Sequence, residues 1–316
     1  MILSRRITVL CEHLKQNIKR TLTFNTTSDV SSANNSSISK PDTEKSILVN
    51  IEDKIMTITI NRPKKKNSLD VSTAQYLSEA LDAFDENKEV SVGILHGANG
   101  NFCAGYDLHE IEKHHGKSEH DLPQFASLSN RDSLPEKPLI AAIEGFAVGV
   151  GLELALMCDM RIIDETAALG FLNRRFGIPI MCGGTVRLPK LIGYSRAMDM
   201  ILTGRFVEGK QALEYGLANR LVACGTAVGQ ATLLAKHMTY HPQEALLADR
   251  LSAHYATFGA IQIDEALQFE KDSAANPLFK EGVQEARKFA EGLGRHGKSV
   301  NYHERLKIKD ISDDLL

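Results

Sequence analysis

The chain has 316 residues, 43% of them hydrophobic, and its 37 Lys and Arg against 40 Asp and Glu leave a formal net charge of −3. That length and apolar content suffice for one substantial core in one or two domains, and the near-balanced charge gives no electrostatic ground for a nucleic-acid partner. The five cysteines, Cys11, Cys103, Cys158, Cys182 and Cys224, form no C-x-x-C pair and have no histidine spacing that suits zinc, so they read as reduced packing residues and no metal is expected.

Residues 1 to 45 differ from the rest. Leu3, Ile7, Leu10, Leu14 and Ile18 fall on one helical face, Arg5, Arg6, Lys15, Lys19 and Arg20 surround it, and Thr21 to Lys40 is almost entirely Thr, Ser and Asn. A basic amphipathic start before an acid-poor Ser/Thr tract reads as a mitochondrial transit peptide with a disordered linker, and hence as a matrix protein. A disordered tail with accidental amphipathicity is the alternative.

Folding is expected from Ser46. Ile47, Val49 and Ile51, then Met56, Ile58 and Ile60, alternate with polar residues on either side of Glu52-Asp53-Lys54, as two antiparallel strands around a tight turn do. Pro63 ends the second strand. A helix is expected over Ser72 to Glu86, a buried strand over Ser91 to His96, and then a glycine-containing loop from Phe102 to Asp107. Leu139 to Ile143 reads as a strand, Gly149 to Cys158 as a helix and Met160 to Ile163 as a strand. The long apolar stretch here, Leu139 to Met160, carries Glu144, Glu153 and Asp159, which argues against a membrane span. The order of elements predicts an α/β core, residues 46–194, followed by a helical region, 195–292, and a polar tail, 293–316.

Several motifs in this order resemble those of the enoyl-CoA hydratase/isomerase (crotonase) superfamily. They are Asn61-Arg62-Pro63-Lys64, Phe102-Cys103-Ala104-Gly105-Tyr106-Asp107, the run from Ala147 to Ala155, Cys158-Asp159, Gly183-Gly184-Thr185-Val186-Arg187-Leu188, Leu202-Thr203-Gly204-Arg205 and Gly216-Leu217-Ala218-Asn219. The resemblance covers about residues 46 to 292. It implies a spiral of ββα units with a helical C-terminal region that builds homotrimers or hexamers. It also implies an acyl-CoA thioester substrate, with coenzyme A entering as part of the substrate and no separate cofactor.

Enolate chemistry beside a thioester carbonyl needs fixed donors for the oxyanion. By resemblance these are the backbone N–H groups of Tyr106, after the sharp turn at Gly105, and of Val150, at the start of a helix whose first amides lack intrahelical partners. The bland reading of these glycines is tight turning and close packing. Glu153 sits in an apolar helix with no Lys or Arg four residues away on either side, so burial there raises its pKa toward a useful acid/base range. Taken alone a glutamate here reads more readily as a solvated helix-face carboxylate. The resemblance makes Glu153 the catalytic acid/base and places Asn173 where true hydratases carry a second glutamate.

Hydration of an enoyl-CoA is the leading expectation, and that departure keeps isomerisation and decarboxylation as the enzyme alternatives. A catalytically silent CoA-binding or RNA-binding paralogue is the alternative of another class. An amide orients water but exchanges no proton as a carboxylate does. Arg174 and Arg175 follow, either to recognise a carboxylated acyl group or to pair with Asp159 and Asp164. Lys64, Ala104, Gly105 and Asp107 are expected against CoA or substrate, with the lysine run beginning at Lys64 readable equally as solvated surface.

Overall fold

The computed structural model describes residues 45–118 and 135–291, which belong to one compact unit spanning Glu44–Leu316. The amphipathic and Ser/Thr-rich segment before Lys45 and the tail from residue 293 lie outside the described residues.

The first hairpin forms as its alternation predicts. Strand β1 (Ile47–Glu52) pairs antiparallel with β2 (Ile55–Ile60), with Ile47 opposite Ile60 and Glu52 opposite Ile55. Asp53 and Lys54 turn the chain with φ of 49° and 66°, the left-handed pair that a two-residue hairpin turn needs. Met56, Ile58 and Ile60 are buried, whereas Val49 and Ile51 on the partner strand are about half exposed, at 49% and 47%. β1 is the edge strand, with a neighbour on one side only, so less of its apolar surface is covered.

Strands β3 (Val92–Gly97), β4 (Leu139–Ile143), β6 (Met160–Asp164) and β9 (Arg220–Val222) extend this sheet in parallel, in the order β1-β2-β3-β4-β6-β9. Three short strands, β5 (Phe146–Val148), β7 (Ala168–Gly170) and β8 (Phe206–Glu208), make a second sheet in the order β5-β7-β8. β4 with β5, and β6 with β7, therefore each send one strand to each sheet, which is how the ββα units are built. Helix α1 (Val71–Glu86) buries Ala74, Leu77, Leu81 and Phe84 on one face, and the Asp70 carboxylate caps it by accepting from Thr73 N at 2.8 Å. A short helix, α2 (Leu108–Glu112), follows the Phe102–Asp107 loop.

Helix α3 (Val150–Met157) is buried along its whole length. Its C-terminal carbonyls are held from β6: the buried guanidinium of Arg161 donates to Cys158 O at 2.7 Å and Ala155 O at 3.2 Å, and also reaches Leu217 O at 2.7 Å before β9. A cation at that end also complements the helix dipole.

The C-terminal region is mainly helical, as expected, but it also contributes two short strands. Helices α4 (Gly184–Ile192), α5 (Tyr194–Thr203), α6 (Gly209–Glu214) and α7 (Ala227–Thr239) are interleaved with β8 and β9, and β9 completes the large sheet. Three-residue strands are too short to show an alternation, which is why the sequence hides them. Helix α7 covers the sheet face opposite α3: Ala227, Ala231 and Ala235, four residues apart, pack with Val92, Ile94, Ile140 and Ile162. Helices α8 (Gln243–Phe258), α9 (Ile263–Pro277) and α10 (Val283–Ala290) complete the described residues.

Candidate active site

The Phe102–Asp107 loop is clamped from both sides. Cys103 N donates to Phe146 O at 2.7 Å and Val148 N to Cys103 O at 3.0 Å, while Leu69 N donates to Gly105 O at 2.8 Å and Asp107 N to Leu69 O at 2.7 Å. Gly105 has φ +100°, in the region that favours glycine, and this aims the chain at Tyr106 into a cavity of about 240 Å³. Across the cavity Gly149 (φ +58°, ψ −127°) starts α3. A Cβ built on Gly149 would lie 3.6 Å from Gly105 Cα and 3.7 Å from Asn173 Oδ1, so the loop, the helix start and Asn173 meet at one point. Leu152 N and Glu153 N both donate to Gly149 O, at 3.1 and 3.2 Å, which places the Val150 and Gly151 amides ahead of the first intrahelical bond. Gly151 brings α3 hard against the loop, since a Cβ there would fall 2.2 Å from Cys103 O.

Glu153, 2% exposed, lines the same cavity. The sequence shows no partner for it, but the fold supplies two from about thirty residues later: Oε1 accepts from Cys182 N at 2.6 Å and Gly184 N at 3.0 Å, at the start of α4. Burial pushes its pKa above the usual carboxylate range, and the amides of Gly184, Cys182 and Met181, with the charge of Arg187, oppose that rise. Tyr106, itself buried, sets its hydroxyl 3.0 Å from Cys182 Sγ. Burial pushes the Cys182 thiol up to about 11 and raises the Tyr106 phenol as well, so both stay protonated near neutral pH and neither is a ready nucleophile.

Asn173 stands on a 3₁₀ turn, Leu172–Phe176. Its Nδ2 donates to Ile178 O at 2.8 Å and Pro179 O at 3.4 Å, and its Oδ1 is buried with no hydrogen-bond partner among the described residues. The amide orientation is forced, because the reverse would set Oδ1 against two carbonyl oxygens. Asn173 lines the cavity, and the only side-chain group it leaves unengaged among the described residues is the Oδ1 acceptor.

Val150, Ala104 and Gly105 also line the cavity; Lys64 and Asp107 do not. Lys66 takes the place foreseen for Lys64, its ammonium 4.8 Å from the centre of the Phe146 ring, because the 3₁₀ turn Pro63–Lys65 carries Lys64 outward. The buried Asp107 carboxylate instead accepts from Arg62 Nη2 and from His109 N, both at 3.2 Å. Among the described residues, neither Arg174 nor Arg175 pairs with Asp159 or Asp164. Neither lines the cavity, Arg174 Nε donates to Ile201 O at 3.3 Å, Asp159 pairs with Arg250 at 2.8 Å and Asp164 accepts from Thr166 and Gly225 amides.

A family profile described as enoyl-CoA hydratase/isomerase matches residues 50–294. The chain belongs to that family. Among its relatives, a probable mitochondrial enoyl-CoA hydratase of Dictyostelium discoideum is 32% identical over 216 residues, 68% of this chain and 76% of that protein. A short-chain-enoyl-CoA hydratase of Clostridium acetobutylicum is 32% identical over 246 residues, 76% of this chain and 92% of that protein. The crystal structure of an enoyl-CoA hydratase from Mycobacterium tuberculosis superposes with a TM-score of 0.70 at 33% identity, covering 78% of this chain and 96% of that one. Within this crotonase fold the residues missed by sequence reasoning are Cys182 and Arg187, which brace Glu153 from behind the cavity wall, and Phe176, Ile178 and Pro179, which line the cavity with Asn173. The motif containing Arg187 was visible, but nothing local linked it to Glu153.

Proposed function

We propose that the chain hydrates 2-enoyl-CoA thioesters, with Glu153 as the single proton carrier and Asn173 as the acceptor that orients water. One observation carries the choice of hydration: Asn173 lines the same cavity as Glu153, and its Oδ1 is buried and partnerless among the described residues. A buried acceptor without a donor is costly, on the order of 1–3 kcal/mol, and a water or hydroxyl group relieves it. The water donates one hydrogen bond to Asn173 Oδ1 and the other to the Glu153 carboxylate. Its oxygen then bonds to Cβ, the Cα=Cβ electrons move onto the thioester oxygen, and Glu153 takes the water proton. Backbone N–H groups of Tyr106 and Val150 neutralise the oxyanion. Glu153 then returns the proton to Cα, which closes the cycle with one carboxylate. A carboxylated acyl group fits worse, because its oxygens would face Asn173 Oδ1 and Glu153, acceptor against acceptor.

Coenzyme A enters as part of the substrate, with Lys66 placed for its phosphates, and no other cofactor is called for. The test is incubation with 2-butenoyl-CoA in oxygen-18 water. The label is expected in 3-hydroxybutanoyl-CoA, and Asn173→Ala should lower that rate about tenfold or more with little change in acyl-CoA binding. Loss of carbon dioxide from a malonyl-type thioester, or migration of a β,γ double bond, without label uptake would overturn it.

Assembly into a homotrimer, or paired trimers, is supported by apolar side chains left open around α9 and α10: Ile261, Ile263, Leu278 and Phe279 are 92%, 74%, 65% and 78% exposed. Sedimentation at micromolar concentration should find no monomer. Matrix location is supported by the basic amphipathic start and by relatives named mitochondrial. A reporter fused to residues 1–45 that stays in the cytosol would count against it.

A further inference from the structure

Glu153 owes its placement to a segment that is itself held by one side chain. Cys182 N and Gly184 N grip Oε1, and between them Gly183 (φ +91°) leaves room for the Arg187 guanidinium, since a Cβ there would fall 2.3 Å from Arg187 Nη1. That Nη1 donates to Cys182 O at 2.9 Å, and Arg187 N donates to Gly183 O at 2.9 Å. The side chain thus ties the lead-in of α4 to the first turn of α4 over the residue whose backbone is freest to rotate. We propose that Arg187 is a positioning residue for Glu153: it holds the Cys182 carbonyl and so keeps the Cys182 and Gly184 amides aimed at the carboxylate.

This rests on Glu153 being the proton carrier. The charge of Arg187 also opposes the burial of Glu153. The other groups facing the pair are Tyr106 from the loop after β3, Cys182 before α4, Cys158 at the end of α3 and His254 on α8. None of these supplies a second cation fixed to the Cys182 carbonyl.

The test compares Arg187→Met and Arg187→Lys with the unaltered full chain on 2-butenoyl-CoA across pH, with the thermal midpoint measured beside them. Arg187→Met should lower kcat about tenfold or more while KM changes less than about threefold. The acid limb of kcat should move to higher pH, because a group that favours the ionised carboxylate is gone. Arg187→Lys should restore the limb in part, through its charge, and kcat less, because an ammonium does not reproduce the planar donor. An unchanged kcat and limb in folded Arg187→Met overturns the proposal, as does a rise in KM alone or a lower thermal midpoint with the limb unmoved. If Arg187→Met does not fold, Arg187→Gln, which keeps an N–H donor without the charge, takes its place in the same comparison. Wild-type turnover in Glu153→Gln removes the role of Glu153 itself, whereas an inactive Glu153→Gln beside a wild-type-like Arg187→Met removes only that of Arg187.

Discussion

Glu153→Gln should lower turnover roughly 100-fold or more while acyl-CoA affinity stays close to that of the unaltered protein. The glutamine keeps an oxygen where Oε1 accepts from Cys182 N and Gly184 N, so the helix start and the loop have no reason to move. What is lost is the only proton carrier assigned on this cavity. The pH dependence has a definite sign. The pKa of Glu153 is raised by burial against the opposing amides and Arg187, so activity should fall as pH drops through a value above the usual carboxylate range. Stability runs the other way. A carboxyl whose folded pKa exceeds its unfolded value contributes stability below the unfolded pKa and loses it as pH rises through the folded pKa. Glu153→Gln should therefore match or exceed the unaltered protein in denaturant midpoint above that window, and the gain should shrink on acidification. Full turnover in the variant, measured on the thioester the protein turns over fastest, would remove Glu153 from the mechanism.

Gly151→Ala is the second substitution with a large expected effect, and it acts through geometry instead of charge. The added methyl would sit 2.2 Å from Cys103 O and 2.9 Å from Cys103 Cβ. Cys103 cannot retreat freely, because its N–H and C=O are both bonded to the chain of β5, at Phe146 O and Val148 N. Either α3 or the Phe102–Asp107 loop has to shift. One carries Val150 and Glu153, the other Tyr106, so the spacing across the thioester site opens. The expected loss of turnover is on the order of 100-fold or more, the scale of losing an oxyanion donor, with about 1–3 kcal/mol lost from stability through overpacking. Gly229→Ala provides the contrast, since nothing lies within 4 Å of a Cβ there inside α7. It should leave activity unchanged and stabilise by roughly 0.5–1 kcal/mol. Equal effects of the two substitutions on turnover would sink this account of Gly151.

The elements that sequence reasoning located are those with a local physical signature. The hairpin shows in a period of two around Asp53-Lys54, α1 in apolar residues three and four apart behind Asp70, and α3 in an apolar run opened by Gly149. Glycine at 105 and 149 marks backbone angles that a Cβ disfavours, and these are the turns that bring the two halves of the site together. The acid inside the apolar helix is legible only in part: the sequence alone leaves Glu153 open between a solvated and a buried carboxylate, the family resemblance favours burial, and the fold buries it.

Tertiary structure decided everything that depends on where distant segments land. Glu153 is held by amides of Cys182 and Gly184, which no period along α3 encodes. Asn173 keeps only its acceptor unengaged because Ile178 O and Pro179 O take its N–H groups, so its side-chain orientation is set by a loop beyond its own turn. Lys66 instead of Lys64 reaches the cavity because the 3₁₀ turn at Pro63 rotates the lysine run, and Asp107 turns to Arg62 because the two are brought together across 45 positions. β8 and β9 exist only because a neighbouring strand offers them hydrogen bonds. Periodicity and glycine angles are properties of a short stretch of chain and can be read there; hydrogen-bond partners between segments are properties of the folded chain, and only the fold assigns them.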